Sequence, residues 1–140
     1  SFVLKMLPKA LKEKEISLFK SSDPENYSDG GQCRDFLYVK DVARMTAQFL
    51  FNSEGGIFNI GSEKASTWNE LADAMLLALK DDSIKIKYID MPEDLIGKYQ
   101  NYTCADMKKY LSKGLEGTKY NLQEAVDDYI NQYLLEGKTW

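Results

Sequence analysis

The chain alternates between stretches with apolar residues at helical spacing and short apolar runs bounded by turn residues. Val3, Leu4, Leu7, Ala10 and Leu11 fall on one face of a helix, and Pro8 within it predicts a kink or a first turn. Ile16 to Phe19 reads as a short strand. Residues 21–32, rich in Ser, Asp, Asn and Gly, read as a surface loop. Arg34 to Val39 reads as a strand apolar on both faces, with Phe36 and Tyr38 opposed to Leu37 and Val39, and hence covered on both sides. Asp41 is placed to cap a following helix whose apolar face carries Val42, Met45, Thr46, Phe49 and Leu50. Ile57 to Ile60 reads as another short strand, closed by Gly61 and Ser62.

Thr67 and Glu70 form a capping-box pattern before Leu71, Ala72, Met75, Leu76 and Leu79. Ile84 to Tyr88 alternates strictly, predicting a strand with one wet face near a sheet edge, where Lys85 and Lys87 meet solvent. Thr103 and Asp106 predict the start of a short helix through Tyr110, stopped by Gly114. Asn121 and Glu124 open a last helix whose stripe is Leu122, Ala125, Val126, Tyr129, Ile130, Tyr133 and Leu134. Helices alternating with short strands imply a layered α/β or α+β fold.

The length, 140 residues, suits one domain with a real core. The first helical pattern begins at Ser1 without a lead-in, which suggests a piece of a longer protein. No apolar run approaches a membrane span, and no basic region followed by an apolar one opens the chain. The net charge of −4 argues against a nucleic-acid binder. Cys33 and Cys104 lack CxxC spacing and read as free thiols of a reducing compartment, so a cytoplasmic location is expected.

Histidine is absent, which removes Ser-His-Asp and Cys-His catalysis and the commonest metal ligand. Neither a GxxGxxG turn nor a P-loop is present. None of the nine tyrosines has a lysine four positions on. The chain thus carries neither the usual cofactor turn nor a Tyr/Lys catalytic pair, and no catalytic, cofactor-binding or metal residue is assigned. Arg34 has two readings from the residues alone: a phosphate clamp, since a guanidinium matches phosphate geometry, or a surface ion pair with Asp35. Asp35 and Asp41 read as structural, and Cys104 as a small buried apolar group.

Three ordered segments carry a resemblance. Arg34-Asp35-Phe36-Leu37-Tyr38-Val39-Lys40-Asp41-Val42-Ala43 resembles the R-D-F-(V/I)-Y-V-x-D-V-A segment of the extended short-chain dehydrogenase/reductase superfamily. Ile57-Phe58-Asn59-Ile60-Gly61-Ser62 looks like that superfamily's I-(F/Y)-N-(L/I)-G-(T/S) element. The run from Ile96 to Met107, with Lys98-Tyr99-Gln100 and Thr103-Cys104-Ala105-Asp106 inside it, is similar to a stretch selective for the ADP-heptose 6-epimerase family.

The resemblance implies an α/β fold: the C-terminal substrate-binding part of an extended short-chain dehydrogenase/reductase, occupying residues 1–140. The Asp41 helix and the Ile57–Ile60 strand would complete a Rossmann-type lobe otherwise absent, so exposed apolar surface is expected here. An N-terminal Rossmann half would hold NADP and the Tyr/Lys apparatus. Transient oxidation and reduction would invert a sugar carbon of an ADP-heptose for the inner core of lipopolysaccharide. The fragment alone would be inactive, and the whole protein a homo-oligomer acting on an ADP-sugar.

By the same resemblance Arg34 contacts the nucleotide diphosphate and Tyr99 helps hold the substrate. Phe19 stacks beside the nucleotide, followed by the polar turn Lys20, Ser21 and Ser22. Lys5 stands where many members have a histidine near the substrate. The family places a Phe-Glu-Gly-Ser-like turn where this chain reads Phe19-Lys20-Ser21-Ser22, and the loop from Ser21 to Cys33 is longer than usual. These departures leave base and sugar specificity open, along with two alternatives: a UDP- or dTDP-sugar epimerase or dehydratase, and a non-catalytic nucleotide-sugar-binding module. Phe19 and Tyr99 also have plain packing readings, as a strand-end anchor and a loop contact.

Overall fold

A side-chain cap opens the chain: in the computed structural model, which describes residues 1–138, Ser1 accepts from the Leu4 amide at the start of helix α1 (Phe2–Glu13). The helix is continuous through Pro8, and Lys14 turns the chain out of it in the left-handed conformation. Burial of Val3, Leu7 and Ala10 offsets the missing proline donor. Strand β1 (Glu15–Phe19) follows, as expected. It pairs in parallel with β4 (Lys85–Ile89), Ile16 opposite Ile86. Ile16 and Leu18 are buried, whereas Lys85 and Lys87 of β4 face solvent, as an edge strand requires.

The larger core lies against this sheet. Helix α3 (Trp68–Leu79) contributes Leu71, Ala72 and Met75, and α5 (Leu122–Tyr129) with its π-helical continuation Ile130–Leu134 contributes Val126 and Ile130. Both helices open with the expected capping boxes, Thr67 with Glu70 and Asn121 with Glu124. Each Ser/Thr/Asn cap contributes about 1 kcal/mol. A smaller core gathers Met45, Met107, Tyr110 and Leu115.

Strand β2 (Cys33–Asp35) pairs antiparallel with β3 (Ala65–Thr67), Arg34 opposite Ser66. The expected strand through Val39 therefore ends at Asp35. Its partner is as short: β3 has three residues, and Asp35 lies opposite Ala65, where β3 begins. The two-faced pattern still has meaning, because Phe36 packs on the larger core and Leu37 on the smaller.

Helix α2 (Val39–Ala47) starts earlier than expected, with Tyr38 at its cap position. Asp41 is thus not the cap. It sits inside the first turn, 1% exposed, and accepts from the Lys119 and Tyr120 amides at 2.9 and 3.0 Å. The acceptor is instead taken by two amides of a distant loop, whose hydrogen bonds are partly buried. The helix tightens into a 3₁₀ turn at Gln48–Phe51, leaving Leu50 79% and Phe51 92% exposed rather than packed.

Ile57–Ile60 forms no ladder, since among the described residues no strand lies beside it, and Ile57 is 88% exposed. Phe58 is held by Phe49, ring centroids 4.9 Å apart. The helix expected from Thr103 is the single turn α4 (Lys108–Leu111), because residues 101–105 lie extended along β2 instead. No helix among the described residues is long and apolar enough to cross a membrane.

Candidate functional site

Arg34 sits mid-strand in β2, where its backbone is fixed by Ser66 of β3. Its Nη1 donates to the Cys33 carbonyl at 2.8 Å, and its guanidinium carbon lies 4.8 Å from the centroid of the Tyr99 ring. Among the described residues it has no acidic partner. The ion-pair reading with Asp35 therefore fails, because that carboxylate accepts instead from Ser62 N and Oγ at 2.7 and 2.6 Å and from Ala105 N at 2.9 Å.

Tyr99 reaches Arg34 because the turn at residues 92–98 closes onto Leu95, whose carbonyl accepts from the Tyr99 amide at 3.0 Å. The chain then runs alongside β2: Cys33 N donates to Asn101 O at 2.8 Å, and Thr103 N donates to Cys33 O at 3.2 Å. Phe19, at the end of β1, meets the Tyr99 ring edge-on, centroids 6.4 Å apart and planes at 89°. Three of the residues singled out from sequence thus converge from three separate segments.

The remaining candidates are differently placed. Lys20 forms an ion pair with Asp90 at 2.9 Å, which raises its pKa through that hydrogen bond and charge. The Ser21 amide donates to Asp29 Oδ1 at 2.8 Å, and the Ser21 hydroxyl accepts from Asp23 N. The donors that a phosphate would use on this turn are therefore partly taken by carboxylates. Ser22 is exposed, and Lys5 is exposed on α1, with no hydrogen bond, ion pair or ring contact joining it to Phe19, Arg34 or Tyr99 among the described residues.

Sequence reasoning missed the polar side chains that brace this group. Gln32, buried, donates to the Lys20 carbonyl at 3.3 Å. Asn69 donates to Asp29 O and closes on Gly30, where a Cβ would stand 2.3 Å from Asn69 Oδ1 and φ is +66°. The Gly30-Gly31 pair was the available signal for that approach. A second cluster, also unforeseen, joins Tyr38, Lys40 and Asp128: the tyrosine hydroxyl and the ammonium both donate to Asp128 Oδ2. Burial and then Asp128 push the Tyr38 pKa up, and Asp128 does the same to Lys40, so neither is a base near neutrality.

Two clefts flank these elements. An apolar one of about 420 Å³ lies between Phe2, Phe36, Val39, Trp68 and Tyr129. A polar one of about 310 Å³ runs past Ser62, Lys64, Lys119 and Glu124. Neither offers a dinucleotide cradle. The helix starts at α1, α3 and α5 are closed by their own Ser1, Thr67/Glu70 and Asn121/Glu124 side chains, and α2 carries Asp41 in its first turn. A diphosphate would meet carboxylates at three of the four. Among the described residues, these helix starts do not fit the diphosphate of a nicotinamide dinucleotide.

Residues 1–61 match the NAD dependent epimerase/dehydratase family. An ADP-L-glycero-D-manno-heptose-6-epimerase from Nitratidesulfovibrio vulgaris is 42% identical over 135 residues, 96% of this chain and 41% of that protein. The chain is a homologue of these epimerases. It spans about two fifths of the length of that curated relative. The crystal structure of the Helicobacter pylori ADP-L-glycero-D-manno-heptose-6-epimerase superposes with a TM-score of 0.73 at 26% identity, covering 94% of this chain and 36% of that one. The dTDP-glucose 4,6-dehydratase of Bacillus anthracis, at 19% identity, shares the fold with a TM-score of 0.75 over all of this chain and 41% of its own. The mixed α/β architecture is thus that of the extended short-chain dehydrogenase/reductase epimerases.

Proposed function

We propose that this chain is the C-terminal, substrate-binding portion of an ADP-heptose 6-epimerase serving lipopolysaccharide inner-core synthesis in the cytoplasm. The observation that carries the reading is Arg34, a partly buried guanidinium without an acidic partner among the described residues, laid over Tyr99 at 4.8 Å with Phe19 at that ring's edge. Such a group holds a diphosphate by charge and by its planar donors, while the aromatic pair offers a surface for the nucleoside. The names of the relatives supply the ADP-sugar.

Lys20, Ser21 and Ser22 border the nucleotide in this reading, and Lys5 approaches the sugar side. An N-terminal Rossmann half of the same protein holds NADP, whose nicotinamide exchanges hydride with the sugar, and the intact enzyme works as a homo-oligomer. This chain contributes binding and orientation only, and is inactive by itself.

Calorimetric titration with an ADP-hexose, a UDP-hexose and a dTDP-hexose tests the reading. The ADP-sugar should bind most tightly, and Arg34→Ala should weaken it about tenfold or more. Equal affinity for all three would assign the chain to a UDP- or dTDP-sugar enzyme of the same fold. Binding of none would overturn the nucleotide-sugar reading.

A further inference from the structure

The run from Asn101 to Ala105 is held on β2 at alternate residues. Asn101 O and Thr103 N bond to the backbone of Cys33, with Tyr102 bridged to Cys33 in parallel register. Two residues further on, the backbone of β2 offers nothing more, because Asp35 ends the strand. The Asp35 side chain supplies the next rung instead: its Oδ2 accepts from Ala105 N at 2.9 Å, while Oδ1 accepts from both donors of Ser62. The fit is close, since a Cβ at Gly61 would stand 2.4 Å from Asp35 Oδ2 and 2.4 Å from Ala105 Cβ. Two segments distant in sequence are thereby fastened to the residue next to Arg34.

We infer that Asp35 is a positioning residue for the substrate clamp, acting through the 101–105 run to hold Tyr99 under the Arg34 guanidinium. This rests on the reading of Arg34 and Tyr99 as substrate holders. Asp35 does not itself meet the ligand, because its oxygens are taken up by Ser62 and Ala105. Its carboxylate form is required: an amide at position 35 would place a donor against either Ser62 or Ala105, both of which already donate. Leaving one partly buried donor unpaired loosens one of the two attachments.

The variants Asp35→Asn and Ser62→Ala separate this role from general stability. Both disturb the same carboxylate, but only the first threatens the rung to Ala105. In the intact enzyme, Asp35→Asn should raise KM for the ADP-sugar about tenfold with kcat within about twofold, and Ser62→Ala should leave both within about twofold. In the Arg34→Ala background, Asp35→Asn should add almost nothing, since the clamp it serves is already gone. Full additivity of the two changes would sink the inference.

A ligand-free measurement keeps it distinct from the functional reading. Nuclear Overhauser contacts between the Tyr99 ring and Arg34 should vanish in Asp35→Asn and persist in Ser62→Ala. If Asp35→Asn fails to fold, Ala105→Pro removes the same hydrogen bond from the donor side and should give the same loss. Persistence of the Tyr99–Arg34 contacts in the variants lacking the rung overturns the role of Asp35, whether or not an ADP-sugar binds.

Discussion

Lys40 lies 2.5 Å from a carboxylate oxygen of Asp128, 88 residues further along the chain, and the same oxygen accepts from Tyr38 at 2.6 Å. The ammonium also lies 4.9 Å from the Tyr133 ring centroid. This pairing pins the last helix to the start of α2. Asp128→Asn should therefore destabilise the protein by about 1–2 kcal/mol, the lower end reflecting partial exposure of the pair. Thermal denaturation checks this, and an unchanged midpoint would show that the pairing contributes nothing. The raised Lys40 pKa sets the sign at high pH: its contribution is complete below the ordinary lysine value and fades only as pH climbs through the higher folded value.

Asp41 sets the acid limit. Burial pushes its carboxyl up, but the Lys119 and Tyr120 amides and the Arg44 guanidinium prevail, and the net pKa lies below the usual carboxylate range. Burial likewise raises Asp128 while Lys40 and Tyr38 more than offset it. A depressed folded pKa stabilises above the unfolded value of about 3.9, and that contribution is lost as pH falls through the folded value. Stability should hold from neutrality to about pH 4 and then fall. Asp41→Asn should cost about 3 kcal/mol at pH 7 and flatten that fall, as read from urea midpoints across pH.

Arg34→Ala in the intact enzyme should raise KM for the nucleotide sugar more than it lowers kcat, because the guanidinium holds substrate without touching the reacting carbon. A drop in kcat at unchanged KM would show instead that Arg34 takes part in the chemical step.

Leu50, Phe51 and Ile57 form exposed apolar surface at the α2 end. The isolated chain should bind a hydrophobic dye and self-associate with rising concentration, and Phe51→Ser with Leu50→Ser should reduce both. Sedimentation velocity showing a monomer at every concentration, with no dye binding, would count against a covered face here.

Local chemistry was the legible part. The capping boxes at Thr67 and Asn121, the β1 strand and the edge character of Lys85 and Lys87 all depend on neighbours in sequence, and all stand where the pattern put them. Strand length was not legible, because β2 stops opposite Ala65, where β3 begins, and the Ile57–Ile60 run has no strand beside it among the described residues. Asp41 was misplaced for a related reason: the amides of Lys119 and Tyr120 that claim it are far along the chain. Within the site, family likeness picked out Arg34, Tyr99 and Phe19, but it could not foresee that Asp29 and Asp90 occupy the Ser21 amide and the Lys20 ammonium. Asp29 lies in the loop between Ser21 and Cys33, whereas Asp90 comes from the residue after β4, far along the chain.

The clamp also straddles the protein's two interiors. Phe19 ends a strand buried in the larger one, whereas the run after Tyr99 leads through Ala105 and Met107 into the smaller. A molecule gripping Phe19 and Tyr99 together would act as a strap across that seam. Heated without it, the two halves are free to melt in separate steps; heated with it, they should give way as one, with a sharper and higher calorimetric peak.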